Sequence, residues 1–367
     1  MAKVRGFIFA TFLLLFIGLV MVFSGSAPYS EYKYGSSFHL FFKQLLFVAI
    51  SIMIFIKILG MDISFLNRKG FLSFLYIFTV ILLLIPFFLP ELNHTRRWIY
   101  FRGFSFQPSE FAKLTIIIIV ADILSHIKDI NENIKKSLLK LILPLSVIIL
   151  LIYLEPDFGT VMVIMGFLIL ILFFKGIKLR YLFILLFSIL LLGGIYLSLH
   201  SYAKKRVVDF IENFGSYDGS NFQTRQSLIA IGHSGFWGNG PGGSEQKLFF
   251  LPAPYSDFIF SLICEEMGFP GAIIVLLLYL YIVMRGVVLS MKLEDSFYSY
   301  IGLGICIMLF LQVFLNVSMT LNLIPTKGIA LPLISMGGSS LIVTVVEIAI
   351  LCNLLLSKRS SGIMVRR

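Results

Sequence analysis

Asp257 stands where a polar, proline-broken stretch running from Lys247 to Ser256 meets an apolar one, and Glu265 and Glu266 follow shortly after it. A carboxylate at the edge of a membrane span is costly and normally faces a cavity, a partner or a substrate. Its chemistry would be proton abstraction from a hydroxyl or coordination of a cation. The plainer alternative is a helix N-cap, with Ser256 or Asp257 accepting from the amides of the next turn.

Cations gather in two other places. Arg96, Arg97 and Arg102 precede one apolar run, and Lys204, Lys205, Arg206, Arg225 and Lys247 fall in the long polar stretch before another. Guanidinium and ammonium groups suit a phosphate or pyrophosphate through paired, charge-assisted hydrogen bonds. Outer-leaflet lipid head groups are the competing ligand. Glu110 and Lys113, three apart behind Gln107-Pro108-Ser109, share a helix face and can pair, and Pro108 suits a first helical turn. Glu155-Pro156-Asp157 reads as a tight turn whose acids could partner the arginines. Lys327 lies in Leu323–Gly328, ahead of the small-residue run Ser335–Ser340.

Composition states what must position these groups. Hydrophobic residues make up 58% of the 367 and charged residues 13%, against roughly 45–50% and about 25% in a soluble domain. The chain reads as one all-α, polytopic membrane domain over residues 1–367. Apolar runs of span length fall near 6–24, 38–59, 71–89, 108–126, 138–154, 158–174, 180–199, 267–290, 299–321 and 336–356. Ten spans put both termini on one side. Most Lys and Arg residues, among them Lys3, Arg68, Lys69, Lys140, Lys178, Lys292 and Arg366, fall on that side, which the positive-inside rule makes the cytoplasm. The net charge of +11 therefore expresses topology and anionic lipid rather than nucleic-acid binding. The arginine and lysine clusters are the exceptions to that bias, on the outer side with Asp257.

The one sizeable extracytoplasmic segment is the loop of about residues 200–256, before span eight. Its glycines and prolines imply turns and short helices, and its GHSGFWGNGPGG lacks the lysine-serine ending and strand–helix frame of a nucleotide loop. Cys264, Cys306 and Cys352 sit in apolar runs without CxxC spacing, which excludes a zinc or disulfide framework. The first apolar run is too long for a signal-peptide core and reads as a retained anchor. No internal repeat is evident, against a transporter built from paired halves.

Taken together these segments resemble a family: the ten-span SEDS proteins, which include FtsW, RodA and SpoVE. The matching text is RRWIYFRGFSFQPSEFAKL at 96–114, EPDFGT at 155–160, FQTRQSLIAIGHSGFWGNGPGGSEQKLFFLP at 222–252, SDFIFSLICEEMGFPGA at 256–272 and LIPTKGIALPLISMGGSSL at 323–341. Pro325-Thr326-Lys327-Gly328 looks more like the division members FtsW and SpoVE than RodA, where valine commonly follows that proline. The resemblance covers essentially the whole chain.

It implies a peptidoglycan glycosyltransferase of the bacterial cytoplasmic membrane that polymerises lipid II at the outer face, in division or cell-shape maintenance. Implied partners are polyprenyl-pyrophosphate-linked glycan, a class B penicillin-binding protein and other divisome or elongasome membrane proteins. The family's essential aspartate falls on Asp257, and its basic and polar substrate positions on Arg97, Lys113, Arg206, Gln226 and Lys327. Two departures stand out. Pro252-Ala253-Pro254-Tyr255-Ser256-Asp257 replaces an acid-rich P-E-A-H-T-D, and Met336 replaces the usual tyrosine of I-S-Y-G-G. No acid or histidine just upstream of Asp257 can assist it here.

The expected chemistry pairs Asp257 as general base with Arg97, Arg206 and Lys327 as pyrophosphate or sugar contacts, Lys113 orienting them. A divalent cation, Mg or Mn, could instead be held by Asp257. The rival reading from another class is a lipid II flippase or transporter. A scaffold that only recruits wall enzymes leaves the outer arginines and Asp257 without a purpose.

Overall fold

The computed structural model describes residues 2–90, 96–101, 104–199, 208, 210–211, 222–248, 250–326 and 328–356. Among the described residues the long helices are α1 (Ala2–Tyr34), α2 (His39–Gly60), α3 (Lys69–Leu84), α4 (Pro108–Ser125), α5 (Ile134–Leu154), α6 (Phe158–Phe174) and α7 (Leu179–Leu199). They continue with α8 (Phe222–His233), α9 (Ile259–Ser290), α10 (Ser296–Thr320) and α11 (Gly338–Leu356). A two-stranded antiparallel hairpin, β1 (Ile99–Phe101) and β2 (Phe104–Phe106), precedes α4. Helices are what such apolar runs must form, because in lipid every backbone polar group needs an internal partner.

Each of the ten expected spans is a helix. Seven qualify by length and apolar composition alone: those in Val4–Tyr34, His39–Gly60, Lys69–Phe88, Ile134–Leu154, Ile259–Ser290, Ser296–Thr320 and Gly338–Leu356. The other three are α4, which carries Glu110, Lys113 and Asp122, the 17-residue α6, and α7.

The helices α4, α10 and α11 form the centre. Ala112, Ile116, Ile117, Ala121 and Leu124 of α4 are fully buried, as are Ile301 and Met308 of α10 and Ala349 and Cys352 of α11. Around them, α2 packs on α11, α6 on α10, α1 on both α2 and α9, and α3 on α4 and α5. Exposed Phe9, Phe42, Phe74 and Phe187 lie on the outer faces of α1, α2, α3 and α7, which is where lipid would meet the bundle. The position of a Cβ on Gly286 of α9 would touch Phe7, Cys306 and Leu351. The start of α1 and the end of α11 therefore share one end of the bundle.

Sequence marks one break inside a span. Gly268 adopts φ 65° and ψ −167° within α9, a conformation essentially restricted to glycine. There α9 bends, and a Cβ at Gly268 would sit 2.4 Å from both the Gly238 nitrogen and the Phe236 oxygen. The kink is thus also the docking point of the glycine-rich loop.

A candidate active site around Asp257

Asp257 occupies a turn just before α9, outside the span. The N-cap position falls on Phe258, with no side-chain cap hydrogen bond, and the Ser256 hydroxyl donates instead to the Ala253 carbonyl at 3.0 Å. The capping alternative is therefore set aside. Among the described residues the Asp257 carboxylate accepts no hydrogen bond and forms no ion pair. The residue is half-buried, and its packed surroundings raise the carboxyl pKa from the ordinary carboxylate range to about 6, because burial penalises the charged form.

Its main chain is held from two other segments. The buried Asn316 amide of α10 donates to the Asp257 carbonyl at 2.8 Å and to the Ile329 carbonyl at 2.7 Å. Ser335 donates to the Ser256 carbonyl at 2.6 Å, and the Met336 amide to the Tyr255 carbonyl at 2.9 Å. Beneath the turn, Leu251, Phe258 and Met319 form a small apolar cluster. The backbone behind the carboxylate is thus held at several points, while the carboxylate itself has no partner among the described residues.

Glu265 and Glu266, the other two acids of the segment, are spent on structure. Glu265 accepts from the amides of Glu245 and Gln246 at 2.9 and 3.3 Å and from the Ser244 hydroxyl. Glu266 accepts from Lys247 at 3.0 Å, from the Gly242 amide at 3.1 Å and from Ser24 of α1. These bonds strap the 238–247 loop onto α9 and α1. Lys247, expected among the outer cations, is the counter-ion of a buried pair rather than a free charge.

The Glu155–Asp157 turn between α5 and α6 lies at the same end. Asp157 caps α6 by accepting from the Thr160 amide at 3.3 Å and hydroxyl at 2.9 Å. It also accepts from Gln107 and Ser109, each at 3.0 Å, while the Gln107 amide donates to Ser339 at the start of α11. Arg97 grips this turn. Its Nε donates to the Glu155 carbonyl at 3.0 Å, its Nη2 to the Pro156 carbonyl, and its Nη1 lies 4.0 Å from Asp157. Glu155 is fully buried, and neither carboxyl oxygen has a hydrogen-bond partner among the described residues. Burial first and Asp157 second push its pKa up to about 9 against the opposing pull of Arg97, so it is neutral at pH 7. A Cβ on Gly159 would stand 3.1 Å from Ile329. Ile329 therefore links this cluster to the segment beside Asp257.

Lys113 is buried within the bundle, where it bonds Glu110 at 3.0 Å and Gln312 of α10 at 2.7 Å. The expected pairing with Glu110 is present. Enclosed in this way, Lys113 faces protein groups rather than the outer surface. Gln226 lies half-buried on α8, which is anchored by Ser227 donating to the Thr320 carbonyl at 2.9 Å. Arg206 and Lys327 lie outside the described residues, as does Arg102, although Lys327 adjoins Gly328, whose position faces Asp257.

Asn316 and Gln312 were not singled out from the sequence, whereas Ser335 and Ser339 fell within the small-residue run Ser335–Ser340. A signal existed for Asn316 and Gln312: amides four residues apart inside an apolar span are unusual and call for buried partners. The small-residue run pointed to close approach, not to the hydrogen bonds that Ser335 and Ser339 make.

No three His, Cys, Asp or Glu side chains gather at one point among the described residues. A lone Asp257 carboxylate nevertheless fits the way Mg²⁺ is commonly held in phosphate chemistry, by one or two carboxylates together with the substrate's own phosphates.

Known proteins place this arrangement. The family model described as cell cycle protein, for FtsW, RodA and SpoVE, matches residues 5–360. The chain is 36% identical over 345 residues to stage V sporulation protein E of Bacillus subtilis (strain 168), covering 94% of each. It is 36% identical over 339 residues to the "probable peptidoglycan glycosyltransferase FtsW" of Saccharophagus degradans, covering 90% of this chain and 87% of that one. Among solved structures, a chain of a peptidoglycan synthase complex superposes with a TM-score of 0.79 at 24% identity over 98% of both chains. The rod shape determining protein RodA of Thermus thermophilus does so with a TM-score of 0.67 at 23% identity, over 95% of each. With one fold shared along nearly its whole length and relatives at this identity, the chain belongs to the FtsW/RodA/SpoVE family of integral membrane proteins.

Proposed function

We propose that this protein is a peptidoglycan glycosyltransferase that polymerises lipid II at the outer face of the cytoplasmic membrane, with both termini cytoplasmic. The observation that carries the reading is the Asp257 carboxylate, left without a partner among the described residues on a locked backbone, with a pKa near 6. A group with that pKa is largely ionised at neutral pH yet basic enough to accept a proton in the transition state.

In the proposed step Asp257 takes the proton of an acceptor sugar hydroxyl as that oxygen bonds to the donor's anomeric carbon. The bond from that carbon to the lipid pyrophosphate breaks, and its electron pair leaves on the phosphate oxygen. Arg206 and Lys327 are the proposed contacts to the developing charge, and Gln226 on α8 a sugar contact. Arg97 and Lys113 act one step back: the first shapes the 155–157 turn, the second ties α4 to α10. A divalent ion held by Asp257 and the phosphates would supply charge neutralisation to the same step.

A class B penicillin-binding protein is the proposed partner for cross-linking, and the similarity to FtsW and SpoVE favours a division-type role. A flippase remains the second reading. Against it, Asp257 precedes α9 rather than lying within it, whereas transporter sites tend to lie near the bilayer midplane. The test is incubation of the purified chain with lipid II in detergent, where no membrane sidedness exists. Glycan polymer is the expected product, and a folded protein that yields none sinks the glycosyltransferase reading in favour of transport.

A further inference from the structure

We propose that a cleft at the opposite end of the bundle, between α3, α4 and α5, binds the head group of an anionic glycerophospholipid. The cleft has a volume of about 720 Å³. Lys69, the first residue of α3, and Lys140, in the second turn of α5, stand at its rim. Both are exposed, and neither has a hydrogen-bond or ion-pair partner among the described residues. Among the described residues Asp122 is the one acid lining it, with the His126 Nδ1 3.5 Å from that carboxylate. Two ammonium groups thus face one cleft against a single carboxylate. No acidic residue occupies the first turn of α3 or α5 either, so the helix ends add to the positive potential rather than relieve it.

The rest of the lining selects among anions. Leu72, Ile77, Ile119, Ile123 and Ile127 make much of the wall apolar, and the Tyr76 hydroxyl is spent on the Pro144 carbonyl at 3.0 Å. A soluble phosphate has no use for that wall. A phosphodiester carrying acyl chains satisfies both halves, with its head group at Lys69 and Lys140 and a chain against the apolar surface. The cleft lies at the lysine-rich end of the bundle, where anionic lipid is the abundant phosphate ligand. The inference goes beyond the proposed polymerase activity and is read by binding alone, so either can fail without the other.

The experiment measures thermal stability of the delipidated full chain in detergent. Titration uses dioleoylphosphatidylglycerol, dioleoylphosphatidylcholine or free glycerol phosphate. The expected result is a Tm about 3 °C or more higher with phosphatidylglycerol than with phosphatidylcholine. At least half of that difference should vanish in Lys69→Gln/Lys140→Gln and persist in Lys178→Gln/Lys292→Gln, a matched change at the same end away from the cleft. Equal shifts from the two lipids would overturn the proposal. So would equal losses in both double variants, which would mean diffuse surface attraction, or an equal shift from glycerol phosphate, which would mean a soluble anion. Should the double variant prove unstable, Lys69→Arg/Lys140→Arg must keep the phosphatidylglycerol preference, and its loss there also overturns the assignment.

Discussion

The Oδ2 of Asp257 lies 3.2 Å from the point where a β-carbon on Gly328 would stand. Any larger residue at 328 would press on the carboxylate and close one approach to it. Asn316 fixes this juxtaposition, since its single amide group holds the main chain on both sides, at Asp257 and at Ile329. With its main chain held in this way, the Asp257 carboxylate has no partner of its own among the described residues, and the expected outcomes below follow from that geometry.

Asp257→Asn should fold, insert and keep its thermal stability, because no described partner depends on the carboxylate, yet make no glycan from lipid II. A helix-capping role would give the reverse, a loss of about 0.5–2 kcal/mol in stability with activity retained. Polymerisation by the purified variant near the parent rate would remove Asp257 from the mechanism.

The pH profile carries a sign. A base must be deprotonated to act, and burial places the Asp257 pKa at about 6. Polymerisation should therefore be near its plateau at pH 7.5 and fall through a midpoint near pH 6 as the carboxylate protonates, to roughly a tenth at pH 5. For stability the direction is opposite. The raised folded pKa means that ionisation costs the native state as pH rises above the unfolded value, so this group favours folding more at acid pH. Rates unchanged between pH 5 and 7.5 would exclude a base of this pKa.

Arg97→Lys keeps the charge but loses the planar fork that reaches two carbonyls at once. It should lower polymerisation at least tenfold, about 1.4 kcal/mol of transition-state stabilisation, and lower Tm as well, since the 155–157 turn loses its clamp. Arg206→Lys, proposed to meet the pyrophosphate, should show the same rate loss with Tm unchanged. Rates within twofold of the parent for both variants would end the argument for these arginines.

Orientation can be read by thiol labelling, because Cys264, Cys306 and Cys352 are all buried. Glu245→Cys, exposed on the loop strapped to α9, should react with an impermeant reagent in intact cells. Glu132→Cys, exposed before α5 at the lysine-rich end, should react only after permeabilisation. Reversed labelling would put Asp257 on the cytoplasmic side.

Much of the architecture was legible in the residues themselves. Apolar runs of span length could only become helices in lipid, and the lysine bias distinguished the two ends of the bundle before any coordinate did. Asp257 stood out because a carboxylate at a span edge needs a reason. What sequence could not decide was which charges are free. Asp257, Glu265 and Glu266 are alike in type and neighbourhood, yet two are consumed by Lys247, Ser24, Ser244 and loop amides while the third has no partner among the described residues. The guanidinium of Arg97 likewise turned out to be engaged by carbonyls 58 and 59 positions away. Local pattern reports periodicity and burial along one helix. Ion pairs and hydrogen bonds between helices depend on how distant segments are brought together, and only the packed structure fixes that.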